Sequence, residues 1–220
     1  STDEQLVATR GTDWGDNGVW RTLHAHNWDA NHSMVKATWN NLNQNVFRAT
    51  AIMDSRSGGN ALQVAEAKFL RALSTYFLVD LYGQAPFRTP DEGIEVNHSV
   101  KNRVEAFEFA VQDLNEALAD LPAAGPGGGL DRASKASARF LLAKLHLNRH
   151  IFTGTGSPAA ADMNKVVELV DVLSAEGFGL ESGYFDIFKE DVDNETIYFA
   201  RASTGNRIWN TLHYNQGAPG

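Results

Sequence analysis

The sequence contains no cysteine among its 220 residues. This absence excludes disulfide bonds, a thiolate nucleophile and cysteine-ligated metals. The sequence also lacks long apolar runs. No stretch approaches the roughly 18 apolar residues of a membrane-spanning helix. Positive charge is sparse: 19 Lys and Arg face 27 Asp and Glu, which gives a net charge of −8. A nucleic-acid partner is therefore not expected, since phosphate binding needs clustered basic residues.

Apolar residues at helical spacing dominate what is present, and they predict a mostly all-α fold. Short strands and long loops are expected to connect the helices. Predicted helices cover 32–54, 65–83, about 99–121, 136–154 and 161–177. The sequence therefore predicts a chain of helix pairs.

The second predicted helix is apolar on two sides. One stripe contains Ala65, Phe69, Ala72, Tyr76 and Val79, and the other contains Leu70, Leu73, Phe77 and Leu81. Such a helix is expected to be packed on both sides. Gly83 suits a left-handed cap and Pro86 prevents the helix from resuming, so the chain must turn there.

Several side chains have predicted structural roles. Asp131 or Ser134 is expected to cap the fourth helix. Trp39 lies on an apolar helical face and is predicted to be core, and Glu66 is interpreted as an ion-pair partner or a helix cap. On the third helix, the residues predicted to point inward are Val100, Val104, Phe107, Val111, Leu114 and Leu118.

The stretch from Ala65 to Gly83 repeats between Ala136 and Gly154, at an offset of 71 residues. Alanines, a phenylalanine, a leucine, the closing glycine and the basic pair Lys68 and Arg139 all fall in register. This pattern is typical of tetratricopeptide-like helical pairs, in which no pair buries its apolar face alone. The offset is about twice the usual ~34-residue repeat, which insertions between the pairs would explain.

The predicted organisation is one domain over 1–220 with three parts. A loop-rich, Trp-containing segment covers 1–33, tetratricopeptide-like helical pairs cover 34–178, and a mixed loop and strand region begins at 179 and runs to 220. The run 197–202 looks like a short strand or extended segment. The aromatic tail leads us to expect that a C-terminal portion of the domain is missing.

Aromatic and polar residues predict a binding site for a glycan. Exposed aromatic rings stack on the apolar faces of sugar rings, and Asn and Asp side chains bond the hydroxyls. Trp14, Asp16, Asn17, Trp20 and Trp28 form the first candidate group, and Trp209 and Tyr214 in the tail form a second one. The alternative is that these tryptophans pin an irregular segment onto the helices.

Catalytic and metal sites find less support in the sequence. His146 and His150 are four residues apart on a helix, but the Glu of a metalloprotease helix is missing between them. The stretch 191–195 lacks the Gly and the bidentate Glu of a calcium loop. We therefore predict no catalytic residue, no metal and no cofactor.

Four segments together resemble the SusD/RagB family, the surface glycan-binding lipoproteins of Bacteroidota. The most recognisable one is "AEAKFLRALSTYFLVDLYGQAPF", and "DRASKASARFLLAKLHLN" looks like the second signature helix of the family. The segments "TDEQLVATRGTDWGDNGVWRTLHAHNWD" and "YFDIFKEDVDNETIYFARAS" are similar to the start of one subgroup and to the end of the helical repeats.

The resemblance implies a tetratricopeptide-like scaffold and a non-enzymatic outer-membrane lipoprotein on the cell surface. It also implies a SusC-like, TonB-dependent transporter barrel as partner and an oligosaccharide as ligand. Family members are longer, and the cysteine that carries the lipid anchor is absent from this chain. A peptide-binding tetratricopeptide-like adaptor is the alternative that the repeats leave open, and a hydrolase is a third hypothesis without a supporting constellation.

Overall fold

The computed structural model of the protein describes residues 15–93, 95–188, 195, 197 and 198. The mostly helical fold is confirmed, with six α-helices and two short strands in this part of the chain. In chain order they are α1 (Val19–His24), α2 (Ser33–Met53), α3 (Ala61–Tyr82), β1 (Gln84–Phe87), β2 (Ser99–Asn102), α4 (Arg103–Ala117), α5 (Lys135–Thr153) and α6 (Ala160–Ala175).

The chain divides into two compact units. Described residues up to Asn41 belong to the first unit, and the second unit begins at Leu42. In the second unit α3 packs on α4, α4 on α5 and α5 on α6, and α3 also contacts α5. This succession is that of stacked helical pairs. The predicted single domain with boundaries at 33 and 178 stays a prediction.

Side-chain caps determine where three of the helices begin. Asn60, Asn102 and Ser134 cap α3, α4 and α5, each in a reciprocal capping box with the residue three positions later. Each box satisfies two backbone N–H groups that the first turn of a helix leaves without partners. Of the two predicted caps for α5, Ser134 is thus the correct one.

Glycines end the two repeated helices, as predicted. Gly83 and Gly154 both have φ of 70° and donate their N–H groups to carbonyls of the last turn, those of Val79 and His150. A side chain at this φ is disfavoured, so glycine suits the position. Pro86 then lies within β1, which immediately follows Gly83.

One stripe of α3 is buried as predicted, but the other is not. Ala65, Phe69, Ala72, Tyr76 and Val79 are all buried. On the opposite stripe Leu70, Phe77 and Leu81 are 41%, 41% and 57% exposed. The prediction that α3 is packed on both sides is therefore wrong for the described residues, because only one side faces α4 and the core.

The third predicted helix begins later than expected. Ser99–Asn102 forms β2, which pairs antiparallel with Gln84–Phe87, and α4 starts only at Arg103. Val100 and Val104 are consequently exposed, against the prediction. Phe107 and Leu114 are buried as predicted, and Val111 and Leu118 are partly buried.

Trp39 is also placed differently from its prediction. The predicted face of α2 does turn inward, but Trp39 is only partly buried, and the buried residues of this helix are Ala49 and Thr50. Helical periodicity identified the less exposed face correctly. It could not tell how much protein covers that face.

A buried ion pair links α3 to α4. The Arg71 guanidinium donates from Nε and Nη2 to the two carboxylate oxygens of Asp113, at 2.7 Å each. Its Nη1 donates to the Thr50 hydroxyl of α2 at 3.3 Å, and the ring of Phe109 lies 4.6 Å from its Cζ. The side chains of Arg71 and Asp113 are only 8% and 2% exposed.

Other ion pairs are more exposed than the Arg71–Asp113 pair. Glu66 binds Arg132 through two hydrogen bonds of 2.7 and 2.6 Å, which confirms its interpretation as an ion-pair partner. Lys68 and its repeat equivalent Arg139 each bind a glutamate at the end of the following helix, Glu116 and Glu176. The sequence repeat is therefore accompanied by equivalent ion pairs between successive helices.

A histidine and a carboxylate join α5 to α6. His146 Nδ1 lies 2.9 Å from Asp162 Oδ1, and Arg149 approaches the same oxygen at 3.4 Å. Burial alone would raise the pKa of Asp162, but the hydrogen bond from His146 and the charge of Arg149 lower this pKa overall. The ionised carboxylate is therefore favoured by the folded state.

We predict that Asp113→Ala lowers the free energy of unfolding by about 3–5 kcal/mol, because it leaves the buried Arg71 charge without a partner. Urea denaturation followed by circular dichroism measures the change. Arg132→Ala is the matched control, and it is expected to cost at most about 1 kcal/mol because its pair is exposed. A loss in Asp113→Ala no larger than that of the control would contradict the buried-charge account.

The His146–Asp162 contact predicts a pH dependence of stability. A lowered folded-state pKa contributes stability above the ordinary value of 3.8, and this contribution is lost as the pH falls below it. At pH 7 we expect Asp162→Asn to cost about 1 kcal/mol. The difference from the unmodified chain should shrink towards pH 3 in urea titrations.

The exposed Asp171 on the same helix provides the control for this experiment. Asp171→Asn is expected to change stability by less than about 0.5 kcal/mol at either pH. An Asp162→Asn deficit that stayed constant from pH 7 to pH 3 would show that the ionised carboxylate does not matter.

Candidate functional site

The backbone of the first unit is strained at three positions. Asp16, Asn17 and His26 have φ of 37°, 55° and 55°, and no other non-glycine residue of the described chain has a positive φ. Residues in this region cost free energy and persist only where neighbouring contacts hold them. Such positions are concentrated at functional sites, so this segment is a candidate functional site.

The predicted residues Asp16, Asn17 and Trp20 meet at a tight turn. Asp16 to Gly18 form a 3-10 turn directly before α1. The indole Nε1 of Trp20 donates to Asp16 Oδ2 at 2.6 Å. Trp20 is partly buried, whereas Asp16 and Asn17 are exposed. The turn thus presents a carboxylate and an amide to solvent while the indole holds the carboxylate in place.

A second set of hydrogen bonds fixes α1. Thr22 Oγ1 lies 2.9 Å from the carbonyl oxygens of both Gly18 and Val19, and its single proton is shared between them. His32 Nε2 lies 3.0 Å from Thr22 Oγ1 and 3.3 Å from the Val19 carbonyl oxygen. This six-residue helix is thereby tied to the residue that precedes α2.

Trp28 is the most exposed tryptophan that the structure describes, at 45%. The His26 ring packs edge-on against it, with centroids 5.3 Å apart and planes 65° apart. Asp29 follows and accepts a hydrogen bond from the Asn31 backbone at 2.8 Å, which turns the chain towards α2. Trp28 therefore presents an oriented ring with nearly half of its surface accessible.

The structure brings together part of the predicted site. Asp16 and Trp20 are in direct contact, and Trp28 contacts His26, which the sequence did not single out as a site residue. The positive φ of His26 orients this ring, and no local pattern predicts that conformation for a histidine. The remaining predicted residues, Trp14, Trp209 and Tyr214, lie outside the described residues.

Metal binding finds no geometric support in the described part of the chain. No group of three His, Asp or Glu side chains converges there. His146 bonds Asp162, and the Nδ1 atom of His150 is buried without a hydrogen-bond partner. His146 therefore contacts α6 through Asp162, and the two histidines do not share a third ligand in the described part of the chain.

Sequence comparison connects the chain to named proteins. The starch-binding protein SusD of Bacteroides thetaiotaomicron is 28% identical over 201 residues, which cover 87% of this chain. A SusD-like protein of Formosa agariphila is 29% identical over 175 residues, or 74% of the chain. Both relatives carry SusD in their names, so the chain is similar to SusD proteins over most of its length. No family model matches it.

Solved structures share the fold. A laminarin-binding SusD-like protein superposes with a TM-score of 0.67 at 21% identity, over 84% of this chain and 41% of the other. A crystal structure with xylogluco-oligosaccharide superposes with a TM-score of 0.69 at 20% identity, over 85% of this chain and 38% of the other. The chain spans about a third of the curated relatives, 33% of SusD and 31% of the Formosa protein. Among the described residues, no helix has the length and apolar character needed to cross a membrane.

Proposed function

We propose that this SusD-like chain belongs to a non-enzymatic protein that binds oligosaccharides through its N-terminal segment. Two observations carry the proposal: the exposed turn at Asp16 and Asn17, which have positive φ, and the exposed ring of Trp28, both at the start of a SusD-like helical fold. Related proteins support the class of ligand: one is named a starch-binding protein, and another was crystallised with xylogluco-oligosaccharide.

The chemistry of the segment suits a neutral sugar. The face of an aromatic ring carries partial negative charge and attracts the C–H groups on the apolar face of a pyranose. Trp28 offers such a ring, and His26 holds its orientation from the edge. The Asp16 carboxylate is already oriented by Trp20, so it can accept hydrogen bonds from ligand hydroxyls with little loss of conformational entropy.

Trp14, Trp209 and Tyr214 are proposed as further ligand contacts, as predicted from the sequence. Catalysis requires groups that stabilise a transition state, and we assign no residue of this chain to that task. The proposal is therefore a binding protein that needs no cofactor.

The similarity to SusD proteins supports a proposal for the cellular setting. We propose a lipid-anchored location at the outer membrane, on the cell surface. There the protein would deliver oligosaccharide to a SusC-like, TonB-dependent transporter and act as the lid of its barrel. Co-purification of the chain with such a barrel would support this role.

Titration with malto-, xylogluco- and laminari-oligosaccharides tests the proposed site. We expect tryptophan fluorescence to change saturably with one of them, and Trp28→Ala to weaken binding by about tenfold or more because it removes the exposed ring. Asp16→Asn keeps the shape and removes a charged acceptor, so we expect a loss of about three- to tenfold.

Phe47→Ala is the matched control for Trp28→Ala. Phe47 is 56% exposed on α2, and the truncation likewise removes an accessible aromatic ring. It should leave binding unchanged. Equal affinities of the unmodified chain, Trp28→Ala and Asp16→Asn for the ligand, in variants shown to be folded by circular dichroism, would rule out the N-terminal segment as the site.

A further inference from the structure

A cavity of about 400 Å³ lies in the second unit, between α3 and α5. Ligand pockets typically enclose about 300–1,000 Å³ and combine apolar walls with a few polar groups. This one has both features, because aromatic side chains from the two helices and from residues 197 and 198 line it together with Lys144 and Glu195. Neither the sequence motifs nor the proposed N-terminal site accounts for it.

Accessible aromatic rings form part of the wall. Phe77 of α3 and Phe140 of α5 are 41% and 42% exposed. Tyr198 packs edge-on against Phe69, with ring centroids 5.2 Å apart, and closes another part of the wall. Two half-exposed rings on neighbouring helices therefore face a space that a small ring-shaped molecule can enter.

Polar groups of both signs line the same cavity. Lys144 Nζ lies 5.5 Å from the centroid of Tyr76 and 5.9 Å from that of Phe140, and it forms no ion pair within the described part of the chain. Glu195 accepts a hydrogen bond from the backbone of Glu181 at 2.5 Å, which fixes its carboxylate. A ligand here meets one cationic donor and one anionic acceptor.

Tyrosine hydroxyls complete the polar set. Burial and the nearby Asp80 raise the pKa of Tyr76, and burial and Glu66 raise the pKa of Tyr198. Both side chains therefore keep their protons at neutral pH. A protonated phenol both donates and accepts hydrogen bonds.

We propose that this cavity is a second sugar-binding site, which takes one neutral pyranose ring between Phe77 and Phe140. An anionic ligand would be attracted by Lys144 but repelled by Glu195, and a wholly apolar one would displace water from both charged groups without replacing the hydrogen bonds of that water. A neutral polyhydroxylated ring satisfies both, because its hydroxyls accept from Lys144 and donate to Glu195. The proposal rests on the proposed oligosaccharide-binding function, but it concerns a different unit of the chain.

The absence of tryptophan from the described lining separates the two sites experimentally. Isothermal titration calorimetry counts every sugar bound, whereas fluorescence reports the surroundings of the five tryptophans, of which Trp20 and Trp28 lie in the N-terminal segment. With the best of the malto-, xylogluco- and laminari-oligosaccharides we expect two molecules bound per chain. Trp28→Ala should abolish the fluorescence change and leave one calorimetric site.

Variants of the cavity should show the converse behaviour. Phe140→Ala and Lys144→Met are each expected to weaken the second site by about tenfold without altering the fluorescence titration. Both side chains are exposed, so both variants should fold, which circular dichroism verifies. Phe47→Ala and Lys165→Met are the matched controls, because they remove a comparable ring and a comparable charge at positions away from the cavity. Each control should leave the affinity of the two sites unchanged.

Each outcome decides between the two claims. A single calorimetric site that disappears in Trp28→Ala would overturn the cavity proposal and leave the N-terminal site standing. A single site that disappears in Phe140→Ala and Lys144→Met but persists in Trp28→Ala would support the cavity proposal and overturn the N-terminal site. No binding of any of the three oligosaccharides would overturn both claims. The cavity would then be interpreted as a binding site for a polypeptide segment.

Discussion

The Arg71–Asp113 ion pair is the constraint on which the helical part of the molecule depends. Two charges withdrawn from water are tolerated only with near-ideal geometry and with their remaining hydrogen-bonding groups satisfied. The two 2.7 Å hydrogen bonds, the Thr50 hydroxyl and the Phe109 ring supply these conditions from α2, α3 and α4. Because the pair tolerates little displacement, it fixes α4 relative to α3. Gln84–Phe87 and Ser99–Asn102, which extend from the facing ends of these helices, then lie within pairing distance.

Local sequence signals predicted the parts of the fold that depend on neighbouring residues. Gly83 and Gly154 end their helices in the same left-handed conformation, and Ser134 begins α5 with a capping box, because each of these contacts spans only a few positions. The 71-residue repeat predicted more than helices. Lys68 and Arg139 both bind a glutamate at the end of the next helix, so the shared pattern also encodes how one helix meets the next.

Long-range contacts explain why several sequence-based predictions were wrong or incomplete. Val100 and Val104 fit a helical face, yet pairing between two short strands delays the start of α4 and leaves both side chains exposed. The outer stripe of α3 has the composition of a buried face, but composition does not say whether anything covers it. In the N-terminal segment the residue types suggested a site, whereas the conformation of His26, which orients Trp28, depends on backbone strain that no spacing rule predicts.

The two aromatic sites obtain their rigidity in different ways. Two hydrogen-bonded pairs, Asp16 with Trp20 and Thr22 with His32, lie within 17 residues of chain, so the N-terminal site depends on local hydrogen bonds. The cavity depends instead on the stacking of α3 and α5, which are more than fifty residues apart in sequence. Substitutions in the helical core should therefore change the shape of the cavity more than that of the N-terminal site, because the core helices themselves form the walls of the cavity.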